Sequence, residues 1–282
     1  MIFPENLGKH LSLDETALTH GELYTVLTNK AAKGKKGSIV AILAGTNSEN
    51  IIPLLQNMPL RLRNKVEEVT LDMAGSMNQI AKKCFPNAVL VTDRFHVQKL
   101  ALEGVQEMRI KHRWAALDKE NSEIEKAKRH KKAYRAEILE NGDTVKQLLA
   151  RSRYVLFKSQ HKWTANQAKR AELLFERYPD LQKAYLLSQS LKNIFQEKRG
   201  KIYAYTRLAS WHEEVSKAAF KPFNTISRTI MNHYQTILNY FDNRSTNASA
   251  ESFNAKIKAF RAQFRGVRNI EFFLFRLTQI YA

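Results

Sequence analysis

Val66-Glu67-Glu68-Val69-Thr70-Leu71-Asp72, then residues 76–84, then Val89-Leu90-Val91-Thr92-Asp93, read as strand, helix and strand. The two apolar runs are short and rich in β-branched residues, and each closes on an aspartate. Strands separated by one helix pair in parallel through a right-handed crossover. Upstream, Leu11-Ser12-Leu13-Asp14 repeats the pattern of an apolar run that ends in a carboxylate. Residues 22–28 and 38–43 are two more strand candidates, joined by the Gly-bearing turn at 31–37, so the first three strands form an antiparallel meander. A helix over 47–55, opened by Asn47 or Ser48 as cap, completes the order β-β-β-α-β-α-β. The expected fold class is α/β.

Beyond about residue 96 the texture changes. Residues 98–149 are dominated by Glu, Lys, Arg, Ala and Leu at helical spacing, and further helices are expected over 165–177, 181–198 and 203–219, with Pro179, Gly200 and Pro222 as punctuation. Ile226, Ile230, Tyr234, Ile237 and Phe241 lie on one face of a helix expected over 224–241. A polar link at 242–247 leads to helices over 248–263 and 269–281. The chain thus divides into a core segment at 1–100, an all-helical region at 101–240 and a closing helical segment at 241–282. Residues 120–135 alternate acid and base and then turn strongly basic, which fits either a solvated helix face or a helix that faces DNA. Trp163 and Trp211 serve core packing or, alternatively, base stacking.

Forty-six Lys and Arg face 27 Asp and Glu among 282 residues, a formal charge of +19 and a pI near 9.9. An excess of this size favours phosphate-rich partners. The lone Cys84 excludes an internal disulfide and a cysteine-built zinc site, leaving it a packing role. The N-terminus has no signal-peptide pattern, and no run approaches the roughly 18 apolar residues that span a bilayer. A cytoplasmic protein with no membrane partner is expected.

Pairing the strand before Asp72 in parallel with the first strand brings Asp14 and Asp72 into one crevice, where close carboxylates repel unless cations neutralise them. Magnesium takes oxygen ligands, commonly one or two carboxylates plus substrate phosphate. Two such ions about 4 Å apart activate a water and stabilise the leaving oxygen of a phosphodiester. Glu251 is the best candidate for a third carboxylate. It shares one helix face with Asn254 and Lys258, at i, i+3 and i+7, and Arg261, Arg265 and Arg268 continue the basic character beyond it. Contacts of that kind to phosphate give affinity without sequence information.

Two longer phrases carry a family resemblance. Phe85, Pro86, Ala88, Asp93, Arg94, Phe95 and His96 form the first; Thr246, Asn247, Glu251, Asn254, Ile257 and Lys258, with Gly266, Arg268 and Asn269 after them, form the second. Together with Leu13, Asp14, Glu15 and Tyr24 they resemble the DDE transposases of bacterial insertion sequences, specifically the ISL-three family and its relatives of the ISAon type. The resemblance runs across essentially the whole chain and is loosest in the helical middle. It implies an RNase H-like mixed sheet core with a large all-α insertion before the last catalytic helix. It also implies that Asp14, Asp72 and Glu251 hold two Mg²⁺ or Mn²⁺ ions and that the enzyme cleaves one strand at an element end, then joins the freed 3′-hydroxyl to target DNA. In such a sheet the fourth strand neighbours the first and the fifth lies outside it, which assigns Asp72 rather than Asp93 to the triad. Asp93 and His96 then match an auxiliary Asp-x-x-His motif of several transposase groups, with Asn254 beside the triad. Arg94, Lys258, Arg261, Arg265 and Arg268 are expected to meet DNA.

Family members usually open with a cysteine-rich zinc segment and a helix-turn-helix region, whereas Asp14 follows Met1 by thirteen residues here. End recognition is therefore expected from a separate DNA-binding subunit, unless the product is a remnant that only regulates transposition. A nuclease or resolvase that cuts without joining is the enzymatic alternative, and synapsis of two ends implies a dimer or larger assembly on DNA.

Overall fold

A computed structural model describes residues 1–17, 22–264 and 269–282. The strands are β1 (His10–Ala17), β2 (Leu23–Asn29), β3 (Ile39–Ala44), β4 (Glu68–Leu71) and β5 (Val89–Thr92). Between and after them run α1 (Ser48–Gln56), α2 (Leu60–Arg63), α3 (Gly75–Cys84) and α4 (Arg94–Arg129). Then come α5 (Val145–Arg151), α6 (Arg153–Phe157), α7 (Ala165–Arg177), α8 (Pro179–Gln196), α9 (Lys201–Ala218) and α10 (Lys221–Asn232). The chain closes with α11 (Tyr234–Asn243), α12 (Ala248–Gln263) and α13 (Ile270–Tyr281). The residues gather into two compact units, Met1–His96 with His233–Ala282, and Val97–Asn232.

The first unit is built on one five-stranded sheet in the order β3-β2-β1-β4-β5. β1, β2 and β3 pair antiparallel, while β4 and β5 join β1 in parallel. That topology is an RNase H-like mixed core. Alternation sends Leu11, Leu13, Leu27, Val69, Leu71 and Leu90 to one face, where Ile51, Ile52 and Leu55 of α1 and Met77, Ile80 and Ala81 of α3 bury them. Cys84 lies in this layer, and burial pushes its thiol up to about 11, so it packs as a small apolar side chain. On the opposite face Tyr24, Val26, Ile39 and Ile42 meet Phe253 and Ile257 of α12 and Phe273, Leu274 and Leu277 of α13. The outer edge of β5 is covered by α11: Asn239 Nδ2 donates to Leu90 O at 2.9 Å, and the hydroxyls of Thr92 and Thr236 meet at 2.7 Å.

Two expectations shift here. Asp14 does not end its strand, because β1 stays paired with β2 as far as Ala17↔Leu23 after its ladder to β4 has stopped at Ser12↔Thr70. The helix read over 224–241 is two helices that part at His233, whose φ of −112° and ψ of 12° leave the helical region. Its first half buries Phe223, Ile226 and Ile230 among helices, and its second half turns Ile237 and Leu238 to the sheet unit.

In the helical unit α4 ends at Arg129, and residues 130–144 contain no helix. The Asn141-Gly142 turn lies here, with Gly142 at φ +78°, a signal outweighed in the sequence by the surrounding helix formers. Asp143 follows, 1% exposed, clasped by Arg151 and by Arg170 Nε at 3.1 Å. Both tryptophans in question pack against the fold, Trp211 fully buried and Trp163 half-buried. Trp211 is 1% exposed and donates to Leu187 O at 2.9 Å; Trp163 donates to Val155 O and packs on Phe175 and Tyr185.

At Gly104, inside α4, a Cβ would stand 2.7 Å from Ile226 Cδ1 and 3.4 Å from the Phe223 ring. Gly104→Ala should therefore destabilise this unit by about 1–3 kcal/mol through overpacking, against the ~1 kcal/mol that Ala gains in helix propensity. In an Ile226→Val background, which lacks the clashing methyl, the same substitution should become neutral or stabilising. A urea-denaturation double-mutant cycle without coupling would refute the contact.

Candidate metal centre

Strand register sets three aspartates in a row. Ser12 stands opposite Thr70, and Thr70 opposite Val91. Two residues further along each strand direction come Asp14, Asp72 and Asp93, all on the parity of Ser12, Thr70 and Val91. The backbone extends the match, since Asp93 N–H donates to Leu71 O at 2.9 Å. That parity points to the face covered by α12, and α12 supplies partners there. Asn254 Nδ2 donates to Asp14 Oδ2 at 2.8 Å, and Ser12 Oγ donates to Oδ1 of Asn247, just before the helix, at 2.6 Å.

Like charges held this close raise one another's energy. Burial drives the Asp14 carboxyl up to about 6; the Glu15 N–H and His96 oppose this, while Asp72 and Glu15 add to it. Asp93, wholly buried, is raised for the same first reason; the backbone N–H of Phe95, His96 and the backbone of Asn247 pull it down, and Glu251 pushes it up. His96 thus acts on both ends of the row. Asp72 Oδ1 is fixed by Ala74 N–H at 2.9 Å, and Asp14 Oδ1 by Glu15 N–H at 2.9 Å.

Glu251 is exposed in the first turn of α12, where the helix dipole favours a carboxylate. Among the described residues, one group of ligand atoms all within 4.8 Å of one another is formed by Asp93, His96 and Glu251. Asp14, Asp72 and Glu251 do not form such a tight group, and the field between Asp14 and Asp72 is what ties those two together. The donor set fits hard divalent cations: neighbouring carboxylates, of which Asp14 and Asp93 are withdrawn from water, whose charge needs neutralising.

The remaining predicted residues lie along α12 or at the start of α4. Lys258 is exposed. Arg261 is half-buried, with its guanidinium 5.0 Å from the Phe273 ring centre. Arg94 is also half-buried: Nη1 donates to the Tyr240 hydroxyl at 3.0 Å, and the guanidinium lies 4.9 Å from the Phe95 ring centre. Arg265, Gly266 and Arg268 lie outside the described residues.

Sequence reasoning missed a buried polar layer beneath the row. Lys30 Nζ donates to Glu68 Oε1 at 3.0 Å and to Thr70 Oγ1, and Ser12 and Asn247 are fully buried beside α12's entry. Burial lowers Lys30's pKa; at Glu68 burial acts upward, but the Ser245 hydrogen bond and Lys30's charge outweigh it. One signal was present: Ser12, Glu68 and Thr70 take the inward parity of apolar strands, where a polar residue needs a partner. Lys30 gave no such signal, because its partner lies 38 residues away.

The folded metal-free protein holds the Asp14 proton to about pH 6, whereas the unfolded chain releases it near the ordinary aspartate value of 3.8. Its contribution is therefore fully present below pH 4 and is lost as the pH rises to 6. In EDTA, Asp14→Asn should be more stable than wild type by about 1–3 kcal/mol at pH 7.5, with little difference at pH 4. Urea denaturation at the two pH values measures this, and equal offsets at both would contradict it.

A model of the family described as "Transposase", the DDE transposases of the ISL3 type, matches residues 11–277. The chain is 22% identical over 234 residues to the "Transposase for insertion sequence element IS1001" of Bordetella parapertussis, covering 82% of this chain and 50% of that protein. It therefore spans about half the length of that curated relative. No solved structure matches it significantly. With the family's match running through the whole sheet, the carboxylate row and α12, the chain belongs to the ISL3 family of DDE transposases.

Proposed function

We propose that this chain is the catalytic part of an insertion-sequence transposase, which cleaves DNA at element ends and transfers the strand to target DNA. Asp14, Asp72 and Glu251 are assigned to two Mg²⁺ ions, with Mn²⁺ able to replace them. The observation that carries the reading is the row of aspartates across β1, β4 and β5, with Asp14 and Asp93 withdrawn from water, facing the helix that bears Glu251. When bound, paired divalent ions supply the charge that activates a water or 3′-hydroxyl and steadies the leaving oxygen.

The chain's own part is positioning. Asn254 and the Glu15 N–H hold both oxygens of Asp14, and the Ala74 N–H holds one of Asp72, so both carboxylates are aimed before substrate arrives. Ser12 and Asn247 lock the entry of α12 and with it the height of Glu251 above the sheet. Lys258 and Arg261 are assigned to the phosphate backbone, and Arg265 and Arg268 follow them in the sequence as further candidate contacts. Arg94, braced on Tyr240, steadies the first turn of α4 and thereby His96. The formal +19 charge suits a DNA substrate and makes binding strongly salt-dependent. The helical region read as residues 101–240 acts as an insertion between the core segments, although α11 at its end packs with the sheet unit. The active species is a dimer or larger assembly on DNA, since two element ends are brought together. Among the described residues no helix is long and apolar enough to cross a membrane, and the site of action is the cytoplasm, on nucleoid DNA.

A labelled element end incubated with Mg²⁺ or Mn²⁺, against EDTA, tests this. Wild type should nick and, given a precut 3′ end, join it to target DNA, while Asp72→Asn and Glu251→Gln should bind DNA but fall to background in both steps. Nicking without joining would convert the reading to a nuclease, and full activity in Asp72→Asn would sink the triad. Asn254→Ala, which frees one oxygen of Asp14, should lose about 10–100-fold in cleavage rate without unfolding. A rate within twofold of wild type would remove Asn254 from the positioning set.

A further inference from the structure

We propose that Asp93, His96 and Glu251 form a divalent-metal site with a nitrogen ligand, suited to Mn²⁺ or Zn²⁺ more than Mg²⁺. It shares Glu251 with the two-ion site above but goes beyond that reading, and it stands on its own geometry.

The three donors come from three different elements. Asp93 follows β5, His96 lies in the first turn of α4 and Glu251 in the first turn of α12. Their ligand atoms all lie within 4.8 Å of one another. Among the described residues, no hydrogen bond or ion pair within 4.0 Å joins His96 to either carboxylate. A histidine that merely neutralised Asp93 would bond it directly. This one stands off at a spacing that a cation bridges with only a small inward movement, given metal–ligand lengths of about 2.0–2.2 Å.

Asp93 gives a second and independent indication. The side chain is 0% exposed, and its Oδ2 is buried with no hydrogen-bond partner. Its other oxygen, Oδ1, accepts the Phe95 N–H at a long 3.4 Å, so helix capping engages one oxygen and leaves the second unexplained. Buried carboxylate oxygens are satisfied by donors or by cations; the backbone of Asn247 acts on this carboxylate, but no donor meets Oδ2 in hydrogen-bonding geometry.

The donor types then select the ion. Two carboxylates and one imidazole mix hard oxygen with borderline nitrogen, a set that suits Mn²⁺ or Zn²⁺, whereas Mg²⁺ keeps to oxygen. Both outer ligands sit near helix starts, so a bound ion would tie the beginnings of α4 and α12 to the end of β5. Their positions would then depend on the metal as well as on packing.

Mn²⁺ titration of the untagged, EDTA-stripped full chain, followed by continuous-wave and pulsed electron paramagnetic resonance, tests the site. The expected result is bound Mn²⁺ with imidazole ¹⁴N modulation in wild type. His96→Gln should lose the modulation and bind Mn²⁺ at least about tenfold more weakly, the size usual for removal of a supporting ligand. Asp72→Asn should keep the modulation even though its cleavage is abolished. Bound Mn²⁺ without nitrogen modulation in wild type, or modulation unchanged in a folded His96→Gln, would overturn the proposal. Because wild type alone gives the decisive signal, a variant that fails to fold does not blunt the test. Loss of cleavage in Asp72→Asn together with no nitrogen signal in wild type would leave the triad standing and remove this site. The reverse pattern would keep this site and remove the triad.

Discussion

The structure depends on carboxylates held together against their mutual repulsion. Parallel pairing of β1, β4 and β5 brings Asp14, Asp72 and Asp93 level with one another at the same side of the sheet. Neighbours that withdraw Asp14 and Asp93 from water raise the cost, which is why Asp14 holds its proton to about pH 6. Without cations the folded chain bears this cost at neutral pH. A protein arranged so is stabilised by whatever brings positive charge to the row, and ion binding and site assembly become one equilibrium.

Beneath the row a polar layer fixes the register of the elements that carry it. Ser12 and Asn247 are both fully buried and bonded across 235 positions of sequence, so α12 has one favourable place to enter the sheet face. Asn247 precedes the helix yet makes no side-chain cap, because its oxygen is committed to Ser12. The Lys30–Glu68 pair lies on the same face, at 14% and 5% side-chain exposure. Withdrawing both charges from water offsets most of their attraction, so the pair adds little net stability, and either one left alone would be costly. Its effect is to penalise any packing of this face that separates them.

Apolar packing around this polar layer is conventional. One sheet face is closed by α1 and α3 and the other by α12 and α13, with aromatic side chains of the last two helices interlocking at Phe260, Phe264 and Phe273. Arg261 lays its guanidinium on that aromatic group, so a residue that reads as a DNA contact in sequence also packs within the core unit. Arg94 behaves likewise against Tyr240. Basic residues at a phosphate-binding face can serve packing and charge together, and sequence spacing does not separate the two.

Much of the fold was legible from apolar runs in the strands and from helical spacing after them. The short, β-branched apolar runs within residues 11–14, 66–71 and 89–92 marked these elements as strands, and the helix between the last two implied their parallel pairing. The sequence by itself therefore determined the mixed sheet, the placing of Asp14, Asp72 and Asp93 on its parallel strands, the helical texture after residue 96 and the excess positive charge. These are local or topological properties, set by hydrophobic spacing and chain connectivity. Only the tertiary structure decided that β1 continues past Asp14, that the apolar face over 224–241 is split at His233, and that Glu251 gathers with Asp93 and His96. Each of these depends on partners far away in the chain: the pairing of β1 with β2, two separate surfaces for α10 and α11, and a helix placed by Ser12 and Asn247. No local pattern encodes those distances, because the free energy that selects them comes from burial and pairing available only once the chain has folded.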